Sequence, residues 1–202
     1  MVRKNHDYDS SWAVLTGGSM SGKTSIANTF ATGGYSIAPE IAENYVDHAT
    51  SHGIDKKQAQ QYGGRTGQIA LGDMATEGSF PEDEDLVLDR STGDALFFMK
   101  KFQDKGEGDS ILMDTMYDYA RNQYDTVFHV SQIEGQIGFE DDGTRTKNRE
   151  LAREIHHELG EFYSEELDYD VIEVPPAPIG ERTQIIAESS GLEKPETVSR
   201  FF

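Results

Sequence analysis

Residues Leu15 to Phe30 read LTGGSMSGKTSIANTF, and this stretch decides the fold. It grows out of a short apolar run, Trp12 to Thr16 (WAVLT), which predicts a buried strand. Gly17, Gly18, Ser19, Met20, Ser21, Gly22, Lys23 and Thr24 then fit the spacing G-x-x-x-x-G-K-[ST], with a predicted helix over Gly22 to Ala31 behind it. Glycines let the backbone curl so that its N–H groups can face a phosphate, and a helix start adds the positive end of its dipole. Lys23 can bridge the outer phosphates, and the Thr24 hydroxyl is a hard oxygen ligand for Mg²⁺. A glycine-rich turn with an incidental Lys-Thr is the bland alternative. The full pattern in its strand-to-helix context argues for a bound nucleoside triphosphate.

The rest of the chain sharpens that contrast. Its 202 residues carry 37 Asp and Glu against 18 Lys and Arg, a net charge of −19. Such a surface repels nucleic acid and anionic membrane, so neither is an expected partner. The acids are spread along the whole chain. This is either a generic acidic protein or an adaptation to high salt, where dense carboxylates keep the surface hydrated while ions screen their repulsion. There are no cysteines, so disulfides and thiolate metal sites are excluded and a reducing cytoplasm is the expected compartment. No apolar run is long enough to span a bilayer, and MVRKNHDYDSS has no apolar core of a signal peptide.

Further strands are predicted at Tyr35–Ala38, at LVLDRS, at Thr126–Ser131 and at YDVIEV. Helices are predicted at Glu40–His52, at Asp94–Phe102, at Ile111–Tyr124, at Arg149–Leu167 and at Glu181–Ser189. Asp55–Glu77 reads as mostly helical, weakened by four glycines. Strands alternating with helices imply βαβ units, hence a three-layer α/β/α domain with a five-stranded parallel sheet. No Pro/Ser linker divides residues 1–202, so one domain is expected, with a loosely held tail after Gly191.

LVLDRSTGD puts Asp89 and Arg90 at the carboxyl end of the third strand, where such sheets bind ligands. Asp89 can hold Mg²⁺ through water or orient an acceptor. Arg90 can grip a phosphate with two N–H groups. The bland alternative is an Asp-Arg pair at a strand end. GTRTKNRELAR gathers Arg145, Lys147, Arg149 and Arg153, four of the 18 basic residues. Arg149 and Arg153 share a helix face, and Glu150 and Glu154 beside them would make surface salt bridges. Alternatively residues 138–153 form an arginine-bearing lid that closes over the transferring phosphoryl group, with Arg145 and Arg149 catalytic. His156-His157 do not suggest a metal site, since adjacent side chains on a helix face different ways. Phe97-Phe98 and Phe201-Phe202 read as packing, and PEDEDL as a solvated loop.

With these motifs in this order the chain resembles the P-loop nucleoside and nucleotide kinases, and two branches compete. In QQYGGRTGQ, Tyr62, Arg65 and Gln68 are similar to a segment of the thymidylate kinases. That resemblance implies that Tyr62 stacks on the base, Arg65 meets the base or phosphate and Gln68 bonds nearby. The aromatic lies one residue closer to the arginine than in that family, and Ser91 and Asp94 stand where it has an aromatic and a serine. The second branch is the nicotinamide riboside kinase-like group. APEIAENY, EDDGTRTKNR and GERTQII are similar to its segments, with Glu40 or Glu43 facing the acceptor.

The leading expectation from resemblance is a thymidylate kinase, which converts dTMP and ATP to dTDP and ADP with Mg²⁺. ATP would be held by Gly17 to Ser25 and Arg182. The nucleotide acceptor would meet Glu40, Tyr62, Arg65, Gln68, Arg90 and Asp94. Catalysis would rest on Lys23, Asp89, Arg90, Arg145 and Arg149, and the metal on Thr24 and Asp89. Pro178 and Arg182 would frame the adenine, or Arg182 would sit in a surface pair at a helix start. The alternatives are a nucleoside-level kinase of the nicotinamide riboside type and a regulatory P-loop ATPase. Thymidylate kinases are often homodimers. Salt adaptation in so small a kinase suggests a halophilic microbe or one of its viruses.

Overall fold

The computed structural model describes residues 10–56, 58, 59, 67–102, 109–132 and 149–195. Five strands form one parallel sheet: β1 (Trp12–Thr16), β2 (Ser36–Ala38), β3 (Leu86–Asp89), β4 (Thr126–Val130) and β5 (Val171–Val174). Their order is β2-β3-β1-β4-β5. All five strands anticipated from the sequence are present, and every pairing is parallel.

The sheet is buried on both faces, as its apolar strands require. Alternate residues of β1 separate two cores. Trp12 and Val14 join Leu86, Leu88 and Val127 on one side; Ala13 and Leu15 join Val87, Phe128 and Val130 on the other. Helices α1 (Lys23–Thr32) and α7 (Ile179–Ser190) cover the second face, through Ile26, Phe30 and Ile186. Helices α3 (Gly67–Glu77), α4 (Thr92–Phe102), α5 (Asp109–Gln123) and α6 (Arg149–Glu161) cover the first. Each fully buried side chain such as Leu15 or Phe30 contributes roughly 1.5–3 kcal/mol over an exposed one. Helix α2 (Ile41–Ser51) follows β2 and packs its Val46 and Ala49 on Ala59 in a small separate cluster.

Several boundaries differ from expectation, each for a local reason. Helix α4 begins at Thr92, two residues early, because the Glu77 carboxylate accepts the Thr92 N–H at 2.6 Å and its hydroxyl at 2.9 Å. That side chain caps the helix start together with Ser91, whose hydroxyl accepts the Gly93 N–H at 3.1 Å. The predicted helix to Leu167 stays α-helical only to Glu161 and continues as a π-turn over Phe162–Glu166. Phe162 and Tyr163 are both buried there, in the first core.

The chain beyond Gly191 is held down through Pro195. Leu192 is buried in the core of α1 and α7, and Tyr35 donates its hydroxyl to the Glu193 carbonyl at 3.0 Å. The PEDEDL loop is stapled to the start of β1. Trp12 Nε1 donates to the Glu84 carbonyl, and the Ser11 N–H donates to Asp85. Of the helix predicted over Asp55–Glu77, the described residues are helical at Lys56, Gln58 and Ala59 and again from Gly67; residues 57 and 60–66 lie outside the described residues.

Candidate nucleotide and acceptor site

The sheet order opens a crevice at the carboxyl ends of the central strands. The chain leaves β1 towards β2 on one side and leaves β4 towards β5 on the other, and ligands bind at such divergences. Leu15 pairs with Asp89 and Thr16 with His129, so β3 and β4 flank the point where β1 gives way to the glycine-rich loop.

That loop has the conformation its glycines suggested. Gly17, Met20 and Gly22 all have positive φ, at 124°, 64° and 87°. Met20 is the costly one, since a side chain in this region is strained by about 1–3 kcal/mol. Gly17 has a second constraint: a Cβ there would lie 2.8 Å from the Val130 carbonyl oxygen. The Lys23 ammonium folds back over the loop and donates to the carbonyls of Gly17 and Gly18 at 3.1 and 2.9 Å and to the Ser21 hydroxyl at 3.2 Å. It is 5 % exposed. Burial first, and then the Arg90 charge, push its pKa down to about 8, while Glu40, Asp89 and Asp94 pull the other way. Ser19 and Met20 are partly exposed, and Thr24 and Ser25 are exposed.

Asp89 sits beside this loop. It is 3 % exposed, lies in hydrogen-bond range of Thr24, and its Oδ1 has no hydrogen-bond partner among the described residues. Burial raises its pKa, with the Lys23 charge opposing. A buried carboxylate oxygen lacking a donor, next to an exposed threonine hydroxyl, fits a hard divalent cation. Thr24 and Asp89 are thus the residues that could hold Mg²⁺.

Arg90 follows in the left-handed region, at φ 71°, and its N–H donates to the Leu15 carbonyl. Its guanidinium is clasped on two sides. Nη1 meets Asp94 Oδ1 at 2.9 Å and Nε meets Glu40 at 3.0 Å, with the Phe98 ring 5.5 Å away. Asp94 is itself 1 % exposed and fully occupied. It accepts the Thr16 hydroxyl at 2.9 Å as well as Arg90, and the Tyr163 hydroxyl at 2.8 Å on its other oxygen. Asp94 therefore holds Arg90 in place. Tyr163 reaches it over Gly93, where a Cβ would lie 2.5 Å from the tyrosine oxygen.

A cavity opens from this cluster. Glu40, Asp73, Arg90 and Asp94 supply its polar wall, and Ile41, Ile69, Phe98 and Met99 much of its apolar one. Phe98 is thus part of a pocket wall, while Phe97 belongs to the core as expected. Asp73 had no sequence signal. Burial, and then the charges of Glu77, Asp94 and Glu40, raise its pKa to about 8. Behind it Glu77, raised to about 7 mainly by burial, accepts the Tyr124 hydroxyl at 2.9 Å.

Arg182, on α7, is 2 % exposed, so it makes no surface pair. Nη2 donates to the Ser131 carbonyl at 2.8 Å, Nη1 lies 3.2 Å from where a Gly22 Cβ would be, and Nε has no partner among the described residues. It is packed against the glycine loop. Tyr62, Arg65, Arg145 and Lys147 lie outside the described residues, as do the side chains of Gln68 and Arg149. Among the described residues no group of three His, Cys, Asp or Glu could hold a metal by itself. No described helix is long and apolar enough to cross a membrane.

A parallel five-stranded sheet whose first strand runs into a phosphate-type loop and helix is a P-loop NTPase fold. The chain belongs to the AAA domain family, whose model matches residues 12–182. Comparison with curated proteins gave no match. Among solved structures it is similar to NadR protein in complex with NAD and AMP-PNP, at 15% identity and a TM-score of 0.65. That match covers 91% of this chain and 50% of NadR. NadR protein in complex with NR matches at 17% identity and the same TM-score, covering 92% and 53%. The chain thus spans about half the length of these structures.

Proposed function

We propose that the chain is an ATP-dependent kinase acting on the hydroxyl of a nucleoside, with a cationic nucleoside of the nicotinamide riboside type as its preferred acceptor. One observation carries the choice of acceptor. Three carboxyl groups and one guanidinium line the cavity among the described residues, and that guanidinium is already paired with Glu40 and Asp94. A nucleoside monophosphate would bring two further negative charges to a wall with no uncommitted cation among the described residues. A pyridinium ring would instead be drawn to it, over the apolar face made by Phe98 and Met99. The likeness to NadR bound to NR supports the same acceptor, so the nucleoside-level reading is better supported than the thymidylate one.

The glycine loop and Lys23 would hold the ATP phosphates, Lys23 exchanging its carbonyl partners for the outer phosphate oxygens. Thr24 and Asp89 would hold Mg²⁺, which when bound supplies positive charge to those oxygens. Asp89 does not line the acceptor cavity, whereas Glu40 does. Glu40 therefore takes the proton of the acceptor hydroxyl as its oxygen attacks the γ-phosphorus and ADP departs. Arg90, pinned by Asp94, sets the position of Glu40. A lid over residues 138–153, with Arg145 and Arg149, is part of the proposal and would exclude water at closure.

ADP release measured in high KCl with nicotinamide riboside, uncharged nucleosides, dTMP or no acceptor tests this. Nicotinamide riboside should be consumed fastest. Fastest turnover with dTMP would restore the thymidylate kinase, and undiminished hydrolysis with no acceptor would point to an ATPase.

A further inference from the structure

The two histidines that suggested no metal site have different fates, and one of them reaches the phosphate loop. His157 is exposed, 3.3 Å from Glu161 one turn along. His156 faces inward, and its Nδ1 lies 3.3 Å from the Gly18 N–H. Its ring stacks on that of His129 from β4, with centroids 3.9 Å apart and planes 15° from parallel. Both nitrogens of His129 face acceptors. Nδ1 lies 2.6 Å from the Glu173 carboxylate on β5, and Nε2 lies 2.8 Å from the carbonyl of His156 itself. His129 thus ties β5 to α6 through its two ring nitrogens. Gly160, one turn beyond His156, leaves room for this: a Cβ there would lie 3.1 Å from the His129 ring.

We propose that His156 is a positioning residue of the phosphate loop: its imidazole, steadied by the Glu173–His129 pair, accepts the Gly18 N–H and fixes helix α6 to the start of the loop. Close packing at the same place agrees. A Cβ on Gly18 would lie 2.9 Å from the Ala152 carbonyl oxygen of α6. Gln132 adds a bond from its side-chain amide to the Ser19 carbonyl at 2.9 Å. His156 is kept in the accepting form. Burial, then the charges of His129, Lys23 and His157, lower its pKa to about 4, leaving Nδ1 unprotonated and the ring proton on Nε2.

The inference rests on nucleotide binding by the loop and not on the identity of the acceptor. AMP-PNP binding to the whole chain tests it, by calorimetry near neutral pH. His156→Ala should weaken binding by about five- to tenfold, the size of one lost hydrogen bond. His156→Asn, whose side-chain oxygen can stand near the Nδ1 position, should restore affinity to within about twofold, and His157→Ala should bind as the unaltered chain does. Should His156→Ala fail to fold, Asn is compared with Gln, whose oxygen is displaced by one bond, and Asn should bind tighter. Equal binding by the Ala variant and the unaltered chain, or equal weakness of Asn and its comparator, overturns the proposal. An unaltered chain that binds no AMP-PNP overturns the nucleotide reading along with it.

Discussion

The two sides of the crevice are assembled over very different lengths of chain. On the donor side, Lys23 bonds to Gly17 and Gly18, six and five residues before it. On the acceptor side, Asp94 gathers Arg90 from four residues away but Thr16 and Tyr163 from 78 and 69. The donor side is mostly backbone, shaped by glycines and by one strained Met20. The acceptor side is almost all side chains, delivered by the ends of β1 and β3, by α2, α3 and α4, and by the π-turn. A backbone site survives many changes elsewhere in the chain. A side-chain site depends on each of its contributors and can be re-tuned through any of them.

If this division is correct, damage on the donor side should be total and damage on the acceptor side selective. The largest effect is expected for Lys23→Met, which removes the ammonium from the phosphates. Turnover measured by ADP release should fall by about 10²–10³-fold or more with every acceptor. Retained turnover would end the account of the donor side. Arg90→Lys keeps the charge but cannot reach Glu40 and Asp94 together. Acceptor kcat/KM should fall by about 10–100-fold while AMP-PNP affinity stays within about twofold. An equal loss of AMP-PNP binding would mean that the two sides are not separable.

The smallest effect, and the sharpest, concerns pH. Asp73 is mostly protonated at pH 7 because its pKa stands near 8, and a bound cation favours the carboxylate. Binding then releases a proton. The KM of a cationic nucleoside should therefore fall as pH rises towards 8, by up to about tenfold per unit, and level off above it. Asp73→Asn should abolish that slope and leave an uncharged nucleoside unaffected. A slope that persists in Asp73→Asn would show that another group recognises the charge.

The same division explains what the sequence disclosed. The strand-loop-helix of the donor side is written in consecutive residues, and five apolar strands between helices imply the parallel sheet without further help. Asp89 and Arg90 were visible because they close a strand. Glu40 was visible because it opens a helix after one. Asp73, Phe98, Tyr163 and His156 were not, because each lies inside a helix or turn and looks like ordinary filling until the fold sets it beside a distant partner. His156 left one faint trace, an adjacent histidine pair on an amphipathic helix, of which only one member can face inward. Asp94 was expected to touch the acceptor directly. The structure places Asp94 in the cavity wall, where its carboxylate, with three bonds already made, also braces the arginine.

The π-turn at Phe162–Glu166 implies a conflict between what suits a helix and what suits this protein. Deleting one residue there would let the segment wind regularly and improve its own backbone geometry. Every side chain downstream would then swing by about 100°, the angular step of one residue in a regular α-helix. Tyr163 and Leu167 could no longer both face the sheet, and Asp94 would lose the Tyr163 hydroxyl while keeping that of Thr16. The locally inferior conformation is the one that keeps both in register, so selection acting on the crevice would preserve an irregularity that selection acting on the helix alone would erase.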